Sequence, residues 1–263
     1  MGEFTTITWD VADGIGTLTL NRPDRLNGMT NRMLIETAEL LDQVAHRSDV
    51  RVVVLTGAGK GFCPGADLKH YTEAGQNPAE ADDELQPEHF RVPVLLHELP
   101  QITIAAINGA CAGAGLGWAA ACDLRVAARS ATFNTAFLAV AVAGDMGLPW
   151  SLPRLVGAAK ARELSFLPGK FSAQEALGHG LVTHVWDDAV FRKEVGVLVA
   201  RLAEAAPLAL RGMKANYLAA ERMNFGDFID LESERHLRIT ASRDTTEAFA
   251  AFVEKRTPSF EGR

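Results

Sequence analysis

Two stretches rich in glycine and alanine carry the strongest chemical signal in this sequence of 263 residues. Residues 57–61 (GAGKG) lead into 62–68 (FCPGADL), and residues 113–117 (GAGLG) form the second stretch. Each follows a strongly apolar run and delivers small residues to the start of a predicted helix. Backbone N–H groups at such a start have no partner inside the helix. Two helix starts facing one another would offer two donors to one oxygen, which is an oxyanion hole.

The same glycines have a plainer interpretation, because glycine permits tight turns and close packing. Taken alone, the pattern favours that interpretation over a ligand site. The sequence has no Gly-Lys-Ser/Thr triplet of a P-loop, and Phe62 and Trp118 stand where the last glycine of a dinucleotide fingerprint belongs. Neither a GxSxG nucleophile elbow nor an HExxH motif occurs. Nucleotide hydrolysis and Rossmann redox chemistry are therefore disfavoured.

Composition is that of an ordinary globular protein, with 48% hydrophobic and 22% charged residues and a formal net charge of −7. The acidic balance argues against nucleic acid as a partner. Cys63, Cys111 and Cys122 are an odd number without close spacing, which argues against disulfides and a zinc site and indicates a reducing compartment. The first ten residues do not resemble a secretory signal, and no apolar run reaches the roughly 20 residues of a membrane helix. We expect a soluble cytoplasmic protein without a metal or a membrane partner.

Hydrophobic periodicity predicts the elements that must position the glycine-rich stretches. The order strand, glycine-rich loop, helix occurs twice, which favours a wound β/α core. A core at 1–198 and a helical lobe at 199–263 are therefore expected. The predicted elements are a hairpin at 5–20, helices at 31–46, 90–99, 118–122, 163–167 and 173–177, strands at 52–55, 102–107, 124–127 and 181–185, about three amphipathic helices over 191–253, and a loop or short helix at 72–88.

Motifs along nearly the whole chain resemble the crotonase (enoyl-CoA hydratase/isomerase) superfamily. Their order makes the resemblance specific. They are FCPGADL at 62–68, ING at 107–109, GAG at 113–115, CD at 122–123, NRPDRLN at 21–27, LPRLVG at 152–157, ALGHGLV at 176–182 and EKRTPSF at 254–260. The resemblance implies an α/β spiral of repeated ββα units with a C-terminal helical lobe, assembled as a homotrimer or homohexamer. It also implies an acyl-CoA thioester as substrate, with coenzyme A as part of the substrate and no separate cofactor.

The resemblance implies roles for particular residues as well. Ala66 and Ala114 would supply the two oxyanion N–H groups and stabilise enolate charge on the thioester oxygen. For Phe252 and Lys255, a core aromatic and a solvated lysine are equally open interpretations. The other residues implied to contact the substrate are Arg25 and Leu26 in the CoA channel, Pro64, Asp67 and Leu68 near the adenine, Gly113, Gly117 and Phe137 in the acyl site, and Phe252 and Lys255, which would reach the CoA of a neighbouring subunit.

Gly117 and Phe137 stand where hydratases of this family carry the two glutamates that hold and activate water. Neither side chain can carry a proton, so hydration by that route is not expected. Asp145 stands where the resemblance to ring-epoxide isomerases of phenylacetate breakdown implies a catalytic acid–base. A 1,3-proton transfer needs only one such group, and apolar neighbours would raise the pKa of Asp145 toward a useful range.

Asp145 has two other interpretations. It could cap a helix, because Asp followed by Gly, Leu and Pro is a good start signal. It could also be a nucleophile, as in chlorobenzoyl-CoA dehalogenases, although those carry a tryptophan where this chain has Phe137. The remaining polar residues are interpreted as a structural cap (Asp123), core or edge histidines (His97, His184) and a packing residue (Cys63), whereas His70 and Tyr71 could border the pocket without any pattern that places them.

These observations predict an enzyme that isomerises an unsaturated or epoxidised acyl-CoA. Ala66 and Ala114 would hold the thioester oxygen, and Asp145 would move the proton. A hydratase with atypical acid–base groups and a non-catalytic CoA-ester-binding scaffold are the two alternatives.

Overall fold

The strands of the protein form two sheets. The computed structural model describes residues 4–73 and 87–263. Within them the strands are β1 (Ile7–Ala12), β2 (Ile15–Leu20), β3 (Val52–Gly57), β4 (Gly61–Cys63), β5 (Ile102–Ile107), β6 (Ala110–Ala112), β7 (Leu124–Ala128), β8 (Thr132–Asn134), β9 (Phe171–Ser172) and β10 (His184–Trp186). A six-stranded sheet has the order β1-β2-β3-β5-β7-β10 and a four-stranded sheet the order β4-β6-β8-β9. The pairs β1–β2 and β8–β9 are antiparallel, and the others are parallel.

Helices follow most of the parallel strands and then make up the C-terminal part of the chain. Those described are α1 (Asn31–Ala45), α2 (Leu68–Glu73), α3 (Val92–Glu98), α4 (Gly113–Ala121), α5 (Leu148–Val156), α6 (Ala158–Phe166), α7 (Ala173–Gly178), α8 (Asp188–Ala203), α9 (Pro207–Ala220), α10 (Phe225–Thr240) and α11 (Arg243–Glu254). The described residues also form 3₁₀ helices at Pro23–Arg25, Pro87–Arg91 and Phe137–Val140. The architecture is mixed α/β with largely parallel sheets and a helical C-terminal part, as the sequence motifs implied.

The six-stranded sheet is buried on both faces, which explains the uninterrupted apolar runs of its central strands. Successive residues of a strand point to opposite faces. In β3, Val53 and Leu55 belong to the larger apolar core, whereas Val52 and Val54 pack with Phe191 of α8 on the other face. The predicted hairpin, the helix after residue 30 and the three buried strands are therefore confirmed.

The structure differs from the sequence-based expectation at three places. The helix expected at 118 begins at Gly113, so residues 113–117 are its first turns rather than a loop. The last strand of the six-stranded sheet is His184–Trp186 instead of 181–185, because Leu181 and Val182 bond to the end of α7. Four helices, not three, follow residue 187. Most of the predicted loop at 72–88 lies outside the described residues, with only its ends placed in α2 and a 3₁₀ helix.

A buried ion pair joins the core to the C-terminal helices. Nζ of Lys214, on α9, lies 2.7 Å from Oδ2 of Asp123 and donates to the carbonyl oxygen of Gln101 at 2.9 Å. The same carboxylate oxygen accepts from the backbone N and Oγ1 of Thr103. Removing one partner of such a pair leaves a buried charge uncompensated. The predicted boundary at residue 198 falls within α8, which packs on the sheet, so the division into core and lobe stays a prediction.

Neither a membrane-spanning helix nor a group of three metal-ligating side chains occurs in the described part of the chain. No helix in residues 4–73 or 87–263 is both long and apolar enough to cross a membrane. In the same part of the chain, no three His, Cys, Asp or Glu side chains lie close enough together to hold a metal ion.

Candidate active site

The two glycine-rich stretches come together at the N-terminus of α4. Gly65 has φ +96°, in the region that favours glycine. A Cβ on Gly65 would stand 3.4 Å from the amide nitrogen of Ala114 and 3.2 Å from the carbonyl oxygen of Ala112. The loop that carries Ala66 is therefore in van der Waals contact with the first turn of α4. The absence of a side chain at 65 keeps the space in front of the Ala114 amide open.

The backbone around Ala66 is held so that its own amide is free to bind a ligand. Met29 and Ala66 form an isolated parallel bridge, in which Met29 N donates to Gly65 O and Asp67 N donates to Met29 O. This pattern turns the N–H of Ala66 away from Met29. Within the described residues, the amide of Ala66 donates no backbone hydrogen bond. Ala66 itself is exposed, so this amide is accessible.

The second amide belongs to the first turn of α4. Ala114 follows Gly113 there, and the N-cap residue Ala112 provides no side-chain cap. The N–H of Ala114 therefore has no partner within the helix and lies at the positive end of the helix dipole. The turn packs closely on β4, because a Cβ on Gly115 would stand 2.8 Å from Cβ of Cys63. The Ala66 loop and the first turn of α4 thus bring the two amides to adjoining segments, and a shared oxyanion site for them stays a prediction.

Asp145 lies in a tight turn before α5 and is half-buried. Its Oδ1 is shielded from solvent and has no hydrogen-bond partner among the described residues. Burial raises the pKa of this carboxyl above its ordinary value. The helix-cap interpretation is wrong: the N-cap of α5 is Gly147, with φ +71°, and it receives no side-chain hydrogen bond. The carboxyl is therefore not used by the fold.

The ring of Phe137 connects the amide opening to the turn that carries Asp145. Cε1 of Phe137 lies 3.8 Å from the position of a Cβ on Gly113, and its Cδ2 lies 3.9 Å from that of a Cβ on Gly144. An apolar wall thus runs between the two polar parts of the site. On its other side, Phe137 lines a cavity of about 310 Å³ with Leu148, Pro149 and Phe166.

The residues expected in the CoA channel surround the same loop. Leu26 and Leu68 are both exposed, and Pro64 is half-buried. Arg25 is exposed and lies 3.1 Å from Glu73 at the end of α2, and this pairing raises the pKa of its guanidinium. These residues border the Ala66 loop, and a contact with coenzyme A stays a prediction for each of them.

Asp67, also expected near the adenine, is instead engaged within the fold. It is buried, its Oδ1 accepts from the amide of His70 in the first turn of α2, and its Oδ2 lies 2.8 Å from Arg22. Burial raises the pKa of Asp67, but the His70 amide and the Arg22 guanidinium outweigh that effect and hold it below its ordinary value. Its direct contact with coenzyme A stays a prediction.

No pattern in the sequence singled out Arg22 and Asn27, whose side chains join residues 22–28 to the neighbouring loops. Asn27 is fully buried, and its Nδ2 donates to the carbonyl oxygens of Ala58 and Gly61. Its Oδ1 accepts from the backbone amide of Arg22, whose side chain bonds Gly28 O and pairs with Asp67. The NRPDRLN motif contained both residues, but their role depends on partners distant in the sequence.

Phe252 and Lys255 lie on α11 and at its C-cap. The ring of Phe252 is 86% exposed, so the interpretation as a core aromatic is wrong. Lys255 is exposed and has φ +56°. Tyr71 is buried, and its hydroxyl donates to Oδ1 of Asn31, whereas His70 is exposed beside it.

The structure also places four further residues that the sequence raised as candidates: Asp123, Cys63, His97 and His184. Asp123 is a hydrogen-bond acceptor for β5 and α9 rather than a helix cap, and Cys63 is fully buried, which raises the pKa of its thiol to about 12. His97 is half-buried, with Nε2 3.0 Å from Glu221 and its ring against Trp150. His184 is an exposed residue of the edge strand β10.

Comparisons with known proteins identify the family. The family model described as enoyl-CoA hydratase/isomerase matches residues 10–263. A 1,2-epoxyphenylacetyl-CoA isomerase of Escherichia coli (strain K12) is 37% identical over 96% of this chain and 97% of its own length. A 4-chlorobenzoyl coenzyme A dehalogenase of an Arthrobacter species is 37% identical over 80% of this chain and 76% of its own length. The crystal structure of an enoyl-CoA hydratase from Bacillus anthracis superposes with a TM-score of 0.90, at 32% identity, covering 98% of this chain and 100% of that chain.

The chain belongs to the enoyl-CoA hydratase/isomerase family of the crotonase superfamily. It is similar to proteins named for three different reactions of CoA esters. The reaction of this chain must therefore be argued from its own residues.

Proposed function

We propose that this protein is an isomerase that moves a proton between two carbons of an unsaturated or epoxidised acyl-CoA. The amides of Ala66 and Ala114 bind the thioester oxygen, and Asp145 is the acid–base. Coenzyme A arrives as part of the substrate, and the reaction uses no separate cofactor. The observation that carries the proposal is the Asp145 carboxyl, which is shielded, unpartnered and raised in pKa by burial.

For a β,γ-unsaturated thioester, the carboxylate takes the α-proton while the two amides stabilise the negative charge on the oxygen. The electron pair of the broken C–H bond forms the C1=Cα double bond of the dienolate, and the carbonyl π pair moves onto the oxygen. Asp145 then returns the same proton to the γ-carbon, and the thioester carbonyl is restored. When the γ-carbon is protonated, the β,γ π pair forms the new C–H bond and the C1=Cα pair becomes the α,β double bond. One carboxyl completes the cycle, and no water is consumed.

The proposal also draws on what the chain lacks. Gly117 and Phe137, which align with the glutamates of hydratases, have no group to activate water. The similarity to the E. coli 1,2-epoxyphenylacetyl-CoA isomerase supports an isomerase with an aromatic acyl group. A water-adding enzyme and a CoA-ester-binding scaffold remain the two outcomes that a direct test must exclude.

Wild-type enzyme is expected to exchange the α-protons of phenylacetyl-CoA with deuterium from solvent, and to convert a 3-enoyl-CoA to the 2-enoyl isomer. The oxyanion amides lower the barrier to the enolate that both processes require. Mass spectrometry of the recovered ester measures the exchange, and chromatographic separation of the two isomers, which have the same mass, measures the conversion. Hydration of a short 2-enoyl-CoA without isomerisation would support the hydratase instead, and binding without any exchange would support the scaffold.

We further propose that the protein assembles as a homotrimer or homohexamer through its C-terminal helices. Phe225, Phe249, Phe252 and Val253 are each at least 69% exposed on α10 and α11. Clustered exposed apolar residues of this kind mark a protein–protein interface. In such an assembly, Phe252 and Lys255 would reach the CoA of a neighbouring subunit.

Sedimentation of the wild-type protein at micromolar concentration is expected to give a trimer or hexamer. Phe252→Glu should shift the distribution toward monomer, because a buried charge without a partner destabilises an interface. The matched variant is Lys193→Glu on α8, which is exposed outside this patch and should leave the assembly unchanged. A monomeric wild-type protein would contradict the proposal.

A further inference from the structure

Gly117 on α4 is in direct contact with the backbone of Met146, the residue after Asp145. A Cβ on Gly117 would stand 2.7 Å from Cβ of Met146 and 2.7 Å from its carbonyl oxygen. The obstructing oxygen belongs to the main chain, which cannot rotate aside as a flexible side chain can. Any side chain at position 117 therefore forces the turn at 144–147 to move.

That turn has an unusual backbone. Gly144 has φ +116°, Met146 has φ +46° and Gly147 has φ +71°. A left-handed conformation costs a non-glycine residue such as Met146 free energy and persists only where its surroundings hold it. On one side the turn is tied to α5, because Leu148 N donates to Asp145 O at 3.1 Å. On the other side it rests on Gly117.

We propose that Gly117 is a positioning residue for Asp145. The missing side chain lets α4 support Met146, and this support keeps the turn that carries Asp145, with its shielded Oδ1, in its present place. The inference rests on the proposed role of Asp145 as acid–base. It adds that a helix residue without any functional group determines whether that acid–base is in place.

The same contact limits the chemistry of the site. A carboxyl added at position 117 needs a Cβ where the Met146 backbone already lies. It can therefore enter only if the turn moves, and the turn carries Asp145. A side chain at position 117 and the present placement of the turn that carries Asp145 therefore compete for the same space.

Gly117→Ala is expected to lower kcat for α-proton exchange about 100-fold, because misplacing a catalytic group by about 1 Å has an effect of that size. KM for the CoA ester should change less than twofold, since the residues of the predicted CoA channel border the Ala66 loop and not the turn at 144–147. The control is Gly196→Ala on α8, where a new Cβ meets nothing within 4 Å. That variant should keep wild-type kcat and KM.

Adding Met146→Gly to Gly117→Ala should restore kcat at least tenfold. The second change removes one of the two obstructing atoms and the cost of a left-handed methionine. A site damaged by general misfolding would not be rescued in this way. Unchanged kcat in Gly117→Ala, or no rescue in the double variant, would overturn the inference.

A thermal measurement separates this inference from the proposed function. Asp145→Asn should raise Tm by about 2 °C in the wild-type background, because it removes a shielded charge without a partner. In the Gly117→Ala background, the displaced carboxyl is solvated and the gain should vanish. If wild-type enzyme exchanges no protons, the proposed function fails, but this cycle still decides the positioning. An equal gain in both backgrounds would refute it.

Discussion

Asp145→Asn is expected to slow α-proton exchange by about 10²–10⁴-fold, the usual contribution of a general base. Binding of the CoA ester should persist, because the oxyanion amides and the CoA channel are untouched. The measurement is deuterium incorporation into phenylacetyl-CoA, with binding followed separately by calorimetry. Exchange at the wild-type rate in this variant would remove Asp145 from the mechanism.

The pH dependence of the wild-type enzyme provides a second test of Asp145 as the general base. A general base must be deprotonated, so the exchange rate should fall as pH falls through the pKa of Asp145. Because burial raises that pKa, the acid limb should lie above the ordinary value of an aspartate. The acid limb should be missing from the pH profile of the residual activity of Asp145→Asn. An acid limb that survives the substitution would assign the titration to another group.

Gly65→Ala is expected to lower kcat for exchange by about 10²–10³-fold, the cost of losing one oxyanion donor. A new Cβ would stand 3.4 Å from the Ala114 nitrogen, in the space that the proposed mechanism assigns to the thioester oxygen. The φ of +96° is also unfavourable for alanine, so the loop that carries Ala66 would shift. Steady-state exchange kinetics at saturating ester measure the effect.

Gly157→Ala is the matched control for Gly65→Ala. Gly157 also has a positive φ, +78°, but nothing lies within 4 Å of a Cβ built there. In both variants alanine has a positive φ, and the backbone strain of that conformation costs roughly 1–3 kcal/mol. Only Gly65→Ala should lose kcat, and equal losses in the two would attribute the effect to lowered stability instead of the oxyanion site.

The buried strands were predictable because their determinants are local. Val52, Val53 and Val54 face both apolar cores in turn, so each must be apolar whichever face it occupies. The N-terminus of α4 was not predictable in this way. Gly113 and Gly115 lower helix propensity, and what keeps them helical is their fit against other segments, such as Gly115 against Cys63. No periodicity records a contact with a residue 52 positions away.

In the candidate site, too, some features were predictable from the sequence and others were not. The motifs marked Ala66 and Ala114, and the structure places their loops in contact through Gly65. For Asp145, local sequence favoured a helix cap, whereas the family resemblance implied a catalytic acid–base. Only the tertiary structure excludes the cap, because Gly147 begins the helix and Oδ1 has no partner. The support that Gly117 gives to Met146 depends on a contact across 29 positions and could not be inferred from either segment alone.

The unpartnered carboxyl has an evolutionary consequence. Within residues 4–73 and 87–263, Oδ1 of Asp145 has no hydrogen-bond partner, so a substitution there breaks no such bond with the described part of the chain. A lineage with this backbone can therefore lose or replace its proton carrier without first acquiring compensating mutations. A single codon change at residue 145 can therefore alter the proton chemistry of the site, whereas a side chain at position 117 also requires the turn at 144–147 to move.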